Sequence, residues 1–163
     1  MDFVELFAND RKGVFEMSEM ATSILREYYD KIVGKAQNDY MLDMFQSESS
    51  IKKQIENGYR YFFVRKEGEN LGFIAFYPKK DAMYLSKFYL YKKERGKGCA
   101  REILNFIAEN AKKENLCAIE LNVNKMNETR FIYEHLGFKI IRAEKNDIGN
   151  GYFMDDYVYR LDI

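Results

Sequence analysis

Tryptophan is absent from this 163-residue chain, proline and histidine occur once each, and cysteine occurs twice. Each scarcity excludes a class of chemistry. With His135 as the sole histidine, no multi-histidine metal site can form, and no Ser-His or Cys-His nucleophile pair is evident. Cys99 and Cys117 lack CxxC spacing and cannot build a disulfide framework, so a reducing, cytoplasmic setting is expected. Neither charge sign is in excess, with 26 Lys+Arg against 26 Asp+Glu. Nothing global therefore draws the chain to nucleic acid or to a membrane surface. No apolar run approaches the ~18 residues of a membrane helix, and Met1-Asp2-Phe3-Val4-Glu5 does not begin a signal peptide.

What the chain does have is apolar and aromatic material, 47% hydrophobic with 13 Tyr and 13 Phe, enough for the core of a single domain over residues 1–163. Asp2 to Phe7 reads as a short first strand. From Val14 to Val33 the residues Met17, Met20, Ala21, Ile24, Leu25, Tyr28 and Ile32 fall at helical spacing. A short helix over Tyr40 to Phe45 follows, then a third capped by Ser49 or Ser50 and stopped at Asn57-Gly58. Tyr59 to Arg65 and Leu71 to Tyr77 form a hairpin, and Ala82 to Tyr91 a further strand. A helix after Gly98 aligns Ala100, Ile103, Leu104, Ile107, Ala108 and Ala111 on one face. Ala118 to Asn124 alternates as a strand. Asn127 to Leu136 is a short helix with Asn127 as N-cap and Gly137 as stop. Phe138 to Ala143 and Tyr152 to Leu161 close the chain around a turn at Asp147 to Gly151. This order predicts an α/β (mixed α+β) architecture, a mixed sheet with helices on both faces.

The stretch Arg95-Gly96-Lys97-Gly98 joins a strand to a long helix. Its glycines and the helix's unpaired amides suit a phosphate. The spacing is neither the P-loop pattern nor the dinucleotide fingerprint. Lys92, Lys93, Arg95 and Lys97 could also be a nucleic-acid patch, but the balanced charge and the lack of further basic clusters argue against it.

Arg95-x-x-Gly98-x-Ala100, followed after a strand by Asn127-x5-Tyr133-x3-Gly137-Phe138, resembles the GNAT superfamily of acyl-CoA-dependent N-acetyltransferases. The resemblance spans roughly Leu85 to Phe138. It implies a largely antiparallel sheet splayed between the fourth and fifth strands, acetyl-CoA as co-substrate and no metal. Gly96, Lys97, Gly98, Cys99 and Ala100, with Arg95 beside them, would cradle the pyrophosphate. Phe88, Tyr89 and Leu90 would pair with the pantetheine arm, and Asn127 would touch it. Tyr133 would protonate the leaving thiolate, a role within reach of a phenol of pKa ~10. In this reading Cys99 is a packing residue, Cys117 a core residue, and His135 lies on an exposed helix face.

The reaction implied is direct attack of a primary amine on the thioester, the amine belonging to a small molecule such as a polyamine or to a protein. The family's base is often a Glu on the strand before the turn; here Tyr84 stands there and Ser86 follows. Glu120, Asp155, Asp156, or water relayed through Ser86 and Asn122, are the alternatives. The acceptor would meet Tyr28, Tyr29, Gln37, Tyr40 and the segment Asp147 to Tyr157. A non-catalytic acyl-CoA sensor on the same fold is the rival reading, and a homodimer stays open.

Overall fold

A computed structural model describes residues 1–163. The chain forms seven strands, β1 (Asp2–Leu6), β2 (Arg60–Lys66), β3 (Glu69–Lys79), β4 (Ala82–Leu90), β5 (Ala118–Asn124), β6 (Lys139–Gly149) and β7 (Tyr152–Asp162), together with five α-helices. These are α1 (Arg11–Val33), α2 (Lys35–Gln46), α3 (Glu48–Glu56), α4 (Cys99–Lys113) and α5 (Arg130–His135). The hydrogen-bonded strand order is β1-β2-β3-β4-β5-β7-β6. No helix is long and apolar enough to cross a membrane.

Two compact units share the chain, residues 1–77 with 87–97 and residues 78–86 with 98–163. In the first, β1, β2 and β3 pair antiparallel. The helical spacing of α1 has its expected consequence: Met17, Met20, Ala21, Ile24 and Leu25 are buried in one cluster with Leu42, Ile51, Tyr61 and Phe73. The helix begins at Arg11 rather than Val14, because Asp10 accepts a hydrogen bond from the Gly13 amide at 2.9 Å. The second helix is longer than its apolar pattern suggests, and Ser47, not Ser49 or Ser50, caps α3 through the Ser50 amide.

In the second unit β4 runs parallel to β5 from Ala82↔Ala118 to Tyr84↔Glu120, and the register ends there. Both strands continue beyond that point, which is where a splay between the fourth and fifth strands is expected. β5 pairs antiparallel with β7, and β7 with β6. α4 buries Ile103, Leu104, Ile107 and Ala111 and packs on β5. The closing turn is shorter than expected. β6 runs on to Gly149, and Asn150-Gly151 with positive φ (54° and 78°) connects the strands, as a two-residue hairpin turn requires. The added strand residues Lys145 to Gly149 are almost all exposed and so carry no apolar alternation to read.

Gly72 on β3 shows how closely strands approach in the first unit. A Cβ there would lie 2.1 Å from the Tyr89 carbonyl oxygen and 2.8 Å from Leu90 Cα. Both are backbone atoms that cannot rotate aside. Gly72→Ala is therefore expected to cost ~2–3 kcal/mol through forced displacement of β4, read as a fall in the urea midpoint at unchanged slope.

Candidate active site

The strand-to-helix connection is built in steps. Tyr91 donates its amide to the Leu71 carbonyl at 2.9 Å, and Lys92–Glu94 forms a single 3-10 turn. The Arg95 side chain then folds back. Its Nε donates to the Leu90 carbonyl at 3.2 Å, its guanidinium lies 3.9 Å from the Tyr28 ring centre, and Nη2 is 3.6 Å from Glu27 Oε2. Arg95 thus ties the turn to β4 and α1. Burial pushes the Tyr28 phenol above its ordinary pKa, with Arg95 pulling the other way.

Gly96 and Gly98 follow with φ of 76° and 80°. Gly98 is the N-cap of α4, and no side chain caps that helix. A Cβ at either glycine would meet nothing within 4 Å. The first amides of α4 therefore lack side-chain acceptors, behind exposed left-handed glycines that leave the approach clear. Such an arrangement is suited to an anion. Lys97, 60% exposed and 3.6 Å from Glu94 Oε2, adds a cation. A phosphate-bearing group fits these residues.

Along β4, Phe88 and Tyr89 are half-buried and Leu90 is buried. Tyr89 packs edge-on against Tyr28 and lies 3.2 Å from Tyr29 by their hydroxyls. Lys87, which sequence reasoning passed over, is only 6% exposed. Its Nζ donates to Phe45 O at 3.2 Å, to Gln54 Oε1 at 2.6 Å and to the Tyr61 hydroxyl. All its acceptors are neutral, and burial lowers the ammonium pKa to about 7. The signal was present: Lys87 shares strand parity with Leu85 and Tyr89.

In the second unit, Tyr84 donates to Asn122 Oδ1 at 2.8 Å. The Asn122 amide in turn donates to Glu144 Oε2 and Asp156 Oδ2, each at 3.3 Å. Asp156 is 3% exposed. Its pKa rises to about 6, chiefly from burial, with Asp155 and Glu144 adding to the rise and Asn122 and Lys125 opposing it. Glu120 is paired with Arg160 at 2.6 Å.

Asn127 is buried, and its Oδ1 accepts from the Thr129 amide at 3.0 Å. It sits one turn ahead of α5, whose N-cap is Thr129, so the expectation of Asn127 as N-cap is corrected. Tyr133 is half-buried, its ring edge-on to Phe138 at 5.6 Å. Cys99 is partly buried at the start of α4, and His135 is exposed. Cys117 is not in the core. It is exposed, with Sγ donating to the Asp81 carbonyl at 3.4 Å, because it precedes the buried part of β5 rather than joining it.

The family described as acetyltransferase (GNAT) domain matches residues 17–154. A Bacillus subtilis (strain 168) protein described as the uncharacterized N-acetyltransferase YdgE is 30% identical over 114 residues, 61% of this chain and 72% of that protein. Among solved structures, the PaiA N-acetyltransferase of Thermoplasma acidophilum in complex with coenzyme A superposes with a TM-score of 0.77 at 18% identity, over 100% of both chains. A GCN5-related N-acetyltransferase from Rhodopseudomonas palustris gives 0.80 at 9% identity, over 99% of this chain and 95% of its own.

The buried Lys87 makes stability depend on pH. Its folded pKa, about 7, lies below the ordinary ~10.4. The folded chain then binds fewer protons than the unfolded one between those values, and this group's contribution to stability grows as pH rises through the window. Urea unfolding at pH 7 and pH 9 should show that gain in the native chain and a flatter dependence in Lys87→Met.

Proposed function

The chain belongs to the GNAT acetyltransferase family and is an acyltransferase, and from that premise we propose that it transfers an acetyl group from acetyl-coenzyme A to a primary amine. On this reading residues 1–163 act as one acetyltransferase domain. Acetyl-coenzyme A supplies an acyl group already activated as a thioester. The observation that carries the reading is the uncapped start of α4 behind Gly96 and Gly98. The coenzyme A in the Thermoplasma neighbour supports it.

In this proposal the amides of Gly96, Lys97, Gly98, Cys99 and Ala100 hold the pyrophosphate, where the partial positive charge of the helix end adds to the hydrogen bonds. Arg95 keeps the turn in shape through Leu90 and Tyr28. The backbone of Phe88, Tyr89 and Leu90 binds the pantetheine arm in the manner of an added strand. Asn127, whose Oδ1 is engaged by Thr129, turns its amide N–H groups to that arm. Tyr133 Oη gives a proton to the departing sulfur. The acceptor nitrogen attacks directly and no acyl-enzyme forms. The acceptor is a small-molecule amine or a protein amino group.

Calorimetric titration with acetyl-coenzyme A tests the cofactor half: binding is expected at micromolar concentration, and none at high micromolar sinks the reading. Gly98→Val should weaken that binding at least ~10-fold, since it removes the left-handed conformation and fills the open approach. Replacing Tyr133 by Phe is expected to lower kcat ~100-fold with cofactor affinity nearly intact. Unchanged turnover would remove Tyr133 as the acid.

A further inference from the structure

We propose that Asp156 is the base of this transferase, its carboxylate receiving the proton of the acceptor's ammonium group, with Asn122 and Tyr84 as the residues that position it. The assignment rests on the acetyltransferase reading and supplies the group that reading leaves open.

The argument starts from pairing. Of the five other carboxylates on β5, β6 and β7, four have a cation, and the fifth, Asp147, is exposed and accepts from the Gly149 amide. Glu120 has Arg160 at 2.6 Å, Glu144 has Arg142 at 2.7 Å, Asp155 has Lys125 at 3.1 Å, and Asp162 has Arg160 at 3.0 Å. Asp156 has none, although it is the most buried of them. Its one hydrogen bond comes from a neutral amide at 3.3 Å. A buried carboxylate without a cation is costly to keep ionised, and such groups concentrate where a proton must be moved.

Its position follows from the register. Asp156 lies opposite Asn124 on β5 and Glu144 on β6, so these side chains share a sheet face, and Asn122, two residues from Asn124, lies on it too. From Asn122 the hydrogen bonds lead to the Tyr84 hydroxyl, the last β4 residue in register with β5. Tyr84 is also the position at which the family resemblance calls for a strand carboxylate. A base reached from Tyr84 through Asn122 thus replaces one on β4 itself. An amide does not relay protons, so Asn122 orients and Asp156 accepts.

The charges facing Asp156 suit a cationic acceptor. Glu144 from β6 and Asp155 from β7 raise the local negative potential, Lys125 opposes it from the β5 end, and Asn122 and Asn124 are neutral. The Lys125 charge is itself held by Asp155. In the step proposed, one N–H bond of the ammonium breaks and its proton passes to the Asp156 carboxylate, leaving the nitrogen lone pair free to attack. The carboxylic acid then returns the proton to water. A group titrating near pH 6 is ionised at neutral pH and ready to do this.

The test is the pH dependence of turnover with a panel of primary amines (butylamine, an aliphatic triamine and a lysine peptide), alongside calorimetry with acetyl-coenzyme A. In Asp156→Asn, kcat/KM at pH 7 should fall ~100-fold or more, cofactor affinity should stay within ~3-fold of the native chain, and the acid limb near pH 6 should vanish. Asn122→Ala, which keeps the carboxylate and removes its hydrogen bond, should move that limb to higher pH. If Asp156→Asn does not fold, the Asn122→Ala shift decides. If no amine in the panel turns over, carboxyl NMR decides: the Asp156 signal should titrate near pH 6 and shift downward with millimolar butylammonium. Native-like turnover in Asp156→Asn, loss of its cofactor binding, an unmoved acid limb in Asn122→Ala, or a carboxyl signal insensitive to butylammonium each overturn the assignment. A native chain that fails to bind acetyl-coenzyme A defeats the transferase reading instead, a separate result.

Discussion

A strand can share its hydrogen-bonding edge with a neighbour only as long as the two run together. β4 does so with β5 for Ala82 to Tyr84 and then continues to Leu90 without it. In the proposed function it is the backbone of Phe88 to Leu90 that pairs with the pantetheine arm. The same strand segment is held from its other side at very short range, since Gly72 leaves no room even for a Cβ beneath Tyr89 and Leu90. It then ends at a turn whose Arg95 is clamped to the Leu90 carbonyl and the Tyr28 ring. Everything assigned to the cofactor depends on this strand and on the helix start that follows it.

Electrostatics separates structural charges from working ones. Most carboxylates on the strands of the second unit are ion-paired and keep some contact with solvent, which limits what each pair is worth. Two buried ionisable groups stand apart. Lys87 is surrounded by neutral acceptors that satisfy its ammonium, which makes it a tie between β4 and the ends of α2 and α3. Asp156 has a single amide donor and acidic neighbours. The first is a complete hydrogen-bond set, the second an incomplete one, and that difference is why, of these two, Asp156 is the one proposed to take a proton.

Much was legible in the residues themselves. The period of α1, the clean alternation of Ala118 to Asn124 and the glycine turn before Cys99 were each readable because local physics dictates them: apolar spacing, strand parity, and the positive φ that only glycine adopts cheaply. The family resemblance rested on those same local features. Element ends were less legible. Ser47 rather than Ser49 or Ser50 caps α3, Thr129 rather than Asn127 precedes α5, and β6 extends to Gly149, because caps and exposed strand ends depend on which neighbour reaches them.

Burial was the harder matter. Cys117 looked like core from its place beside a buried strand and is exposed. Asp156, one of two adjacent aspartates, is buried while Asp155 meets Lys125. The sequence alone determined the order of elements, the phosphate-suited turn and the family, since these depend on residues close together in the chain. Only the tertiary structure decided which buried carboxylate lacks a cation and which lysine is enclosed. Those outcomes depend on strand register and on side chains from distant segments, such as Tyr84, Asn122, Glu144 and Asp156, that no spacing along the chain brings together.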